Sequence, residues 1–231
     1  PLVRRMSDFT KARVFFYGLD PSADLWADEV QGMGLDGIRF NLHYHSEVMH
    51  VHLPLIGQHS VHTALRAAAV GLVEGLNWNE ILQGLRMGQT QLRLNTVHTN
   101  SGALILDDTY NATPESTLAA LNLLAELVGR RIAVLGDMLE LGPYEGEGHE
   151  LVGVRAAQIA DFIVTVGPCG HLIAEAARKA GFEPARIAEF KESDETVTFL
   201  QKILTEKDVV LVKGSHGVRM DRIINSLEVM Q

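Results

Sequence analysis

From about Leu94 onward the chain alternates short, unbroken apolar runs with helix-like segments, and few folds accept that rhythm. The runs are ALILD (103–107), RIAVLGD (131–137), DFIVTVG (161–167), ARIAEF (185–190) and DVVLVKG (208–214). Between them lie stretches such as HLIAEAARKAG (171–181) and ESTLAALNLLAELV (115–128). In the latter, Leu118, Leu121, Leu124 and Leu127 recur at helical spacing. Strands covered on both faces read as continuous apolar runs, and spacings of roughly 20–30 residues leave room for one crossover helix each. The pattern predicts βαβ units, a mostly parallel sheet and an α/β fold class. Ligands of such sheets gather outside the carboxyl ends of the strands. Asp107 and Asp108 end one run, Asp137 the next, and Lys213 the last.

The first 94 residues follow another rhythm. ARVFFYGL and DGIRFNLHYH read as strands, and SVHTALRAAAVGLVEGL (60–76) and NWNEILQGLRMG (77–88) as two helices. Asn77 with Glu80 three residues on predicts a capping box for the second helix. A few strands and two helices make a thin core for a free-standing domain. The domain boundary is expected near Gln91–Asn95, dividing the chain into 1–94 and 95–231.

Composition narrows the function classes. The 231 residues are 46% hydrophobic, enough to bury a core. No apolar run approaches the roughly 18 residues of a membrane span, and PLVRRMSDFTKARV has no signal-peptide core. A net charge of −9 argues against non-specific nucleic-acid binding. The single cysteine, Cys169, allows no internal disulfide and points to a reducing compartment, with the cytoplasm as the expected one.

In LILDDTYNATPEST (104–117), Thr113 and Pro114 predict a helix start, so Asp107 to Ala112 form a short loop between a strand end and a helix N-terminus. Carboxylates there can coordinate Mg²⁺ or accept hydrogen bonds from ribose hydroxyls, and the helix terminus favours phosphate. A plainer reading has Asp108 capping the turn and Asp107 solvated. GDMLELG (136–142) and VKGSHGVRMD (212–221) follow two other strands of the same sheet, and LPLIGQHSVHTALRAAAVG (53–71) stands upstream.

Taken in this order, the four segments resemble the Mur ligases of peptidoglycan synthesis, whose motifs read GxHNxxNALAA, PGR, DD(T/S)YNANP, GDMxELG and KGSRGxxME. The closest branch adds D-Ala-D-Ala to a UDP-N-acetylmuramoyl-tripeptide. The resemblance implies a C-terminal Rossmann-like domain over 95–231, preceded by the strand-plus-two-helix tail of a central ATPase domain over 1–94. It also implies a reaction in which ATP and Mg²⁺ convert a carboxylate to an acyl phosphate that an amine attacks. The substrates would be small molecules and the parent enzyme a monomer. The chain has no G-x-x-x-x-G-K-[ST] and no Gly-Lys dipeptide, so the phosphate-cradling loop is missing and the chain alone is expected to be inactive.

Matched position by position, the resemblance implies that Arg93, Asp108, Tyr110, Asn111 and His59 bind ATP, with Asp107 or Asp108 available for Mg²⁺. Asp137, Glu140, Lys213, Ser215 and His216 would bind the amine substrate. The chain departs from the family where Ser60 and Thr63 replace two asparagines, Gln91-Leu92 replaces Pro-Gly, and His216 replaces an arginine. These departures leave open a non-catalytic binding module of the same fold, or a related ligase with another amine.

Two other features compete. If Ser46 and Glu47 turn the hairpin HYHSEVMHVH (43–52), His43 faces His50, with His45 and His52 on the same two faces. Such imidazoles could bind Zn²⁺, and a half-solvated hairpin accounts for them equally. VGPCGHLIAEAARKAG (166–181) lacks the full G-x-G-x-x-G of a dinucleotide site and reads as strand–helix packing, with Cys169 a small loop residue.

Overall fold

A computed structural model of the protein describes residues 2–87 and 95–228. The chain divides into two compact units, Pro1–Thr90 and Gln91–Gln231.

The first unit opens with a short helix α1 (Leu2–Arg5). Its four strands lie side by side in chain order: β1 (Tyr17–Gly18), β2 (Leu25–Gly32), β3 (Ile38–Tyr44) and β4 (Glu47–Leu53). β1 runs parallel to β2, and the rest is antiparallel. Helices α2 (Val61–Val73) and α3 (Trp78–Met87) follow. Leu25, Phe40, Leu42, Val51 and Leu53 of the sheet form one core with Ala64, Leu65 and Ala68 of α2. The expected capping box is present. Asn77 Oδ1 accepts the Glu80 N–H at 3.1 Å, and Glu80 Oε2 accepts the Asn77 N–H at 2.8 Å.

Two expectations for this unit need correction. ARVFFYGL contributes only Tyr17–Gly18 to the sheet, and the long strand is β2, with Asp28 and Glu29 inside it. A register shift between Asp28 and Gln31, with Glu29 at φ 48°, breaks the alternation by which a strand is recognised. The hairpin turns at His45-Ser46, not Ser46-Glu47, with His45 at φ 52°. His43 therefore faces Val48, and His50 faces Asn41. The two registers differ by two residues and put the same residues inward, so the apolar alternation does not choose between them; the turn does. Each imidazole finds its own partner. His43 stacks on Trp26 at 3.6 Å, His50 Nδ1 lies 2.6 Å from Asn41 Oδ1, and His52 Nε2 lies 3.0 Å from the Asp36 carbonyl.

The second unit carries six strands: β5 (Asn95–His98), β6 (Leu104–Asp108), β7 (Arg130–Gly136), β8 (Phe162–Val166), β9 (Ile187–Phe190) and β10 (Asp208–Lys213). Their spatial order is β5-β6-β10-β7-β8-β9, all parallel except β5 against β6. All five apolar runs are strands of this mostly parallel α/β sheet. Helices α4 (Pro114–Glu126), α5 (Glu145–Ile159), α6 (Gly170–Lys179), α7 (Ser193–Ile203) and α8 (Asp221–Leu227) cover its faces. β10 is buried along its whole length, as expected of a central strand between helix layers. On one face Ile105, Ile132, Val164 and Val212 pack with Leu200 of α7 and Ile223 of α8. On α4, Leu121 and Leu124 are fully buried and Leu118 is partly so, as is Leu127 just past the helix end. Among the described residues no helix is long and apolar enough to cross a membrane.

Candidate functional site

The chain crosses the sheet in one direction from β5 to β9 and turns back only to insert β10 between β6 and β7, so the carboxyl ends of these three strands lead into different loops. Three of the sequence motifs meet at this edge.

The loop after β6 is held from both sides. Asp107 Oδ1 accepts two hydrogen bonds from Thr109, from its N–H at 3.1 Å and its hydroxyl at 2.7 Å. Thr113 caps α4 with Pro114 in its first turn; its hydroxyl accepts the Ser116 N–H at 3.2 Å, and Ser116 Oγ accepts the Thr113 N–H at 3.0 Å. Lys213, at the end of β10, is 2% exposed. Its ammonium donates to Asp108 Oδ2 at 2.7 Å and to the Asn111 carbonyl at 2.8 Å. Tyr110 is largely exposed on the same loop.

The loop after β7 is tied to the loop after β10. Ser215 N–H donates to the Asp137 carbonyl at 3.0 Å, and Ser215 Oγ accepts the Leu139 N–H at 2.9 Å. Asp137 is 3% exposed, and its Oδ1 accepts the Cys169 N–H at 3.0 Å at the start of α6. Burial pushes this carboxyl above the usual range, partly offset by the Cys169 N–H. Gly167 sits at φ 108°, and a Cβ there would lie 2.6 Å from the Asp137 carboxylate, so only glycine lets the two loops approach this closely. The Cys169 thiol is also pushed up, by burial and then by the nearby Asp137 and Glu145.

A cleft of about 460 Å³ opens beside these loops. Asp137 and Leu139 line it after β7, Gly167 and Pro168 after β8, Lys191 to Asp194 after β9, and Gly217, Val218, Arg219 and Arg222 after β10. Arg219 is paired bidentately with Asp221 at 3.0 Å. Lys191 and Arg222 have no ion-pair partner among the described residues, and the acids Glu192 and Asp194 line the cleft beside them.

The structure thus brings Asp108, Asn111 and Lys213 together, and separately Asp137 with Ser215. Lys213 reaches toward β6, not into the cleft. Glu140, at φ 64°, and His216 are exposed on their loops, and Ser215 is buried between them. His59 belongs to the first unit, in the turn Gln58–Ser60, where Ser60 Oγ donates to the Ile56 carbonyl at 2.6 Å. Arg93 and Gln91-Leu92 lie outside the described residues.

Sequence reasoning missed Lys191, Arg222 and His149. Lys191 directly follows β9, so the rule that singled out the other strand ends would have found it. His149 carried no local signal. It is fully buried on α5, and the possible ligand atoms of Asp137, His149 and Cys169 lie within 4.8 Å of one another. Both ring nitrogens are occupied, Nε2 by the Met138 N–H at 3.0 Å and Nδ1 by the Glu145 carbonyl at 2.7 Å, so the cluster is a hydrogen-bonded one.

Comparison with known proteins is consistent with this geometry. Residues 92–216, more than half of the chain, match the family described as "Mur ligase, glutamate ligase domain". The UDP-N-acetylmuramoyl-tripeptide–D-alanyl-D-alanine ligase of Bacillus subtilis is 35% identical over 76% of this chain and 39% of its own length. The ligase of the same name from Mycobacterium tuberculosis is 30% identical over 98% of this chain and 49% of its own. A crystal structure of MurF from Acinetobacter baumannii superposes with a TM-score of 0.79 at 30% identity, covering 98% of this chain and 49% of that one. The chain spans less than half the length of these relatives. It belongs to the Mur ligase family.

Proposed function

We propose that the chain is the C-terminal part of an ATP-dependent amide ligase of peptidoglycan precursor synthesis. The ligase joins D-alanyl-D-alanine to UDP-N-acetylmuramoyl-tripeptide. Residues 1–94 then form the tail of the central domain and 95–231 the C-terminal domain. The carrying observation is the cleft at the sheet's carboxyl edge, in a chain 30–35% identical to ligases of that name. The cleft lining includes the buried acid Asp137 and the cations Lys191 and Arg222, beside Glu192 and Asp194. A zwitterionic dipeptide offers an ammonium to the first and a carboxylate to the second. This division keeps carboxylate recognition despite His216 in place of the family's arginine.

The nucleotide side rests on the loop after β6. Asp107 and Asp108 each spend one carboxylate oxygen internally and keep one. The Lys213 charge at Asp108 favours a ribose hydroxyl there over a second cation, which leaves Asp107 as the oxygen donor for Mg²⁺. The bound ion would neutralise charge on the phosphate oxygens. Tyr110 and Asn111 border the same position; Arg93 and His59 stay nucleotide contacts on the family resemblance alone. In the reaction, the tripeptide carboxylate takes the γ-phosphoryl group of ATP. ADP leaves, the dipeptide ammonium gives up one proton, and the free amine attacks the acyl carbon; an amide C–N bond forms, phosphate leaves with the C–O electron pair, and the nitrogen loses its second proton. The phosphate-cradling loop this requires is not among these 231 residues, so turnover belongs to the longer protein.

Phosphate release by the full-length protein tests the reading, with Mg-ATP and UDP-muramoyl-tripeptide present and the dipeptide supplied or omitted. Release that depends on the dipeptide is expected. Release with another amine alone would move the substrate assignment, and no release at all would favour a non-catalytic module.

A further inference from the structure

His149 has no exposed surface and lies on α5, outside every motif discussed above. The Met138 N–H can only donate, so the Nε2 it meets at 3.0 Å is an acceptor. The ring proton therefore sits on Nδ1 and is donated to the Glu145 carbonyl at 2.7 Å. Met138 stands two residues beyond the end of β7, where no sheet partner remains for its N–H. On either side, the Asp137 carbonyl and the Leu139 N–H both go to Ser215. One serine from the β10 loop and one histidine from α5 thus hold one backbone polar group on each of three consecutive residues. The side chains of the first and third residues, Asp137 and Leu139, line the cleft. The base of α5 is itself wedged in place, since a Cβ at Gly148 would lie 2.8 Å from Pro114 and 3.0 Å from Leu141.

We infer that His149 is a positioning residue for the amine-binding cleft. Its Nε2 sets the rotation of the Met138 peptide, and with it the aim of the Asp137 carboxylate and the Leu139 wall. This rests on the ligase reading above. A purely space-filling residue would need no ring nitrogens, and here both are used, Nδ1 within α5 and Nε2 on the loop after β7.

The test pairs H149F, which removes the acceptor and keeps ring volume, with H149Q, whose amide oxygen can replace Nε2. H149M serves if H149F does not fold. Hydrogen exchange is read in the 231-residue chain and steady-state kinetics in the full-length protein. In H149F the Met138 amide is expected to lose at least about tenfold protection while Ile132, Ala133 and Val134 of β7 keep theirs. KM for the dipeptide rises about tenfold, with KM for ATP within about twofold. H149Q restores both. Equal rises in the two KM values, an unchanged dipeptide KM, or H149Q behaving like H149F would overturn the inference. Wild-type protein without dipeptide-dependent turnover would overturn the ligase reading instead, and undiminished Met138 protection in H149F would overturn the contact. The two failures are read on different signals.

Discussion

The Nζ of Lys213 lies 2.7 Å from Oδ2 of Asp108, joining the carboxyl ends of two strands that are neighbours in the sheet and 105 residues apart in the chain. The side chains are 1% and 15% exposed. Taking two charges out of water costs about as much as their attraction returns, so the pair contributes little net stability; losing one partner strands the other.

Lys213→Met is therefore expected to destabilise the second unit by about 3 kcal/mol, leaving the Asp108 carboxylate and the Asn111 carbonyl without their donor. A urea titration monitored by circular dichroism measures it. A loss below about 0.5 kcal/mol, the range of surface substitutions, would mean that the pair is solvated.

Two buried acids should move stability in opposite directions with pH. Asp208 is desolvated, but hydrogen bonds from Arg130, at 2.6 and 2.8 Å, and from Thr205 outweigh burial and hold its carboxyl below the usual range. A lowered folded pKa gives stability present above the unfolded value and lost as pH falls through the folded one. Asp137 is raised by burial, so the folded state binds its proton more readily than the unfolded chain does. Its contribution is favourable below the unfolded value and is lost as pH rises through the folded pKa. Asp137→Asn should thus raise the melting temperature at pH 7 and leave a stability profile that falls more steeply on acidification. A melting temperature lowered at pH 7 would contradict the sign for Asp137.

Gly153 and Gly84 form a matched pair. Both are helical, on α5 and α3, and alanine gains about 1 kcal/mol over glycine in a helix interior. A Cβ on Gly153 would lie 2.3 Å from the Ile173 carbonyl of α6, a backbone atom that cannot swing away, whereas nothing lies within 4 Å of one on Gly84. Overpacking costs about 1–3 kcal/mol and wins at the first site. Gly153→Ala should destabilise by about 2 kcal/mol, and Gly84→Ala should stabilise by about 0.5–1 kcal/mol. Thermal melts of both variants check the contrast.

Arg222→Ala should raise KM for the dipeptide about five- to tenfold, the value of one partly solvated charged hydrogen bond. Stability should stay within about 0.5 kcal/mol, since the side chain is exposed. Full-length enzyme assayed at varied dipeptide and saturating ATP gives the number. An unchanged KM would remove Arg222 from the carboxylate wall.

What could be read without coordinates was whatever depends on residues close together in sequence. Continuous apolar runs marked five strands of the parallel sheet, because burial on both faces needs no alternation. Thr113-Pro114 and Asn77 with Glu80 marked two helix starts, because a cap joins residues three apart. Strand-end acids marked the edge at which the candidate cleft opens, and the motifs marked the family. Tertiary structure decided the rest. The hairpin register depended on turn geometry at His45, since both registers bury the same face. β2 was hidden by its acids and its bulge. The direction of Lys213 followed from β10 lying between β6 and β7, a consequence of strand order that no local window contains. His149 became visible only once α5 packed its ring against the Met138 amide, because a buried hydrogen bond between a helix and a loop leaves no periodic trace in sequence.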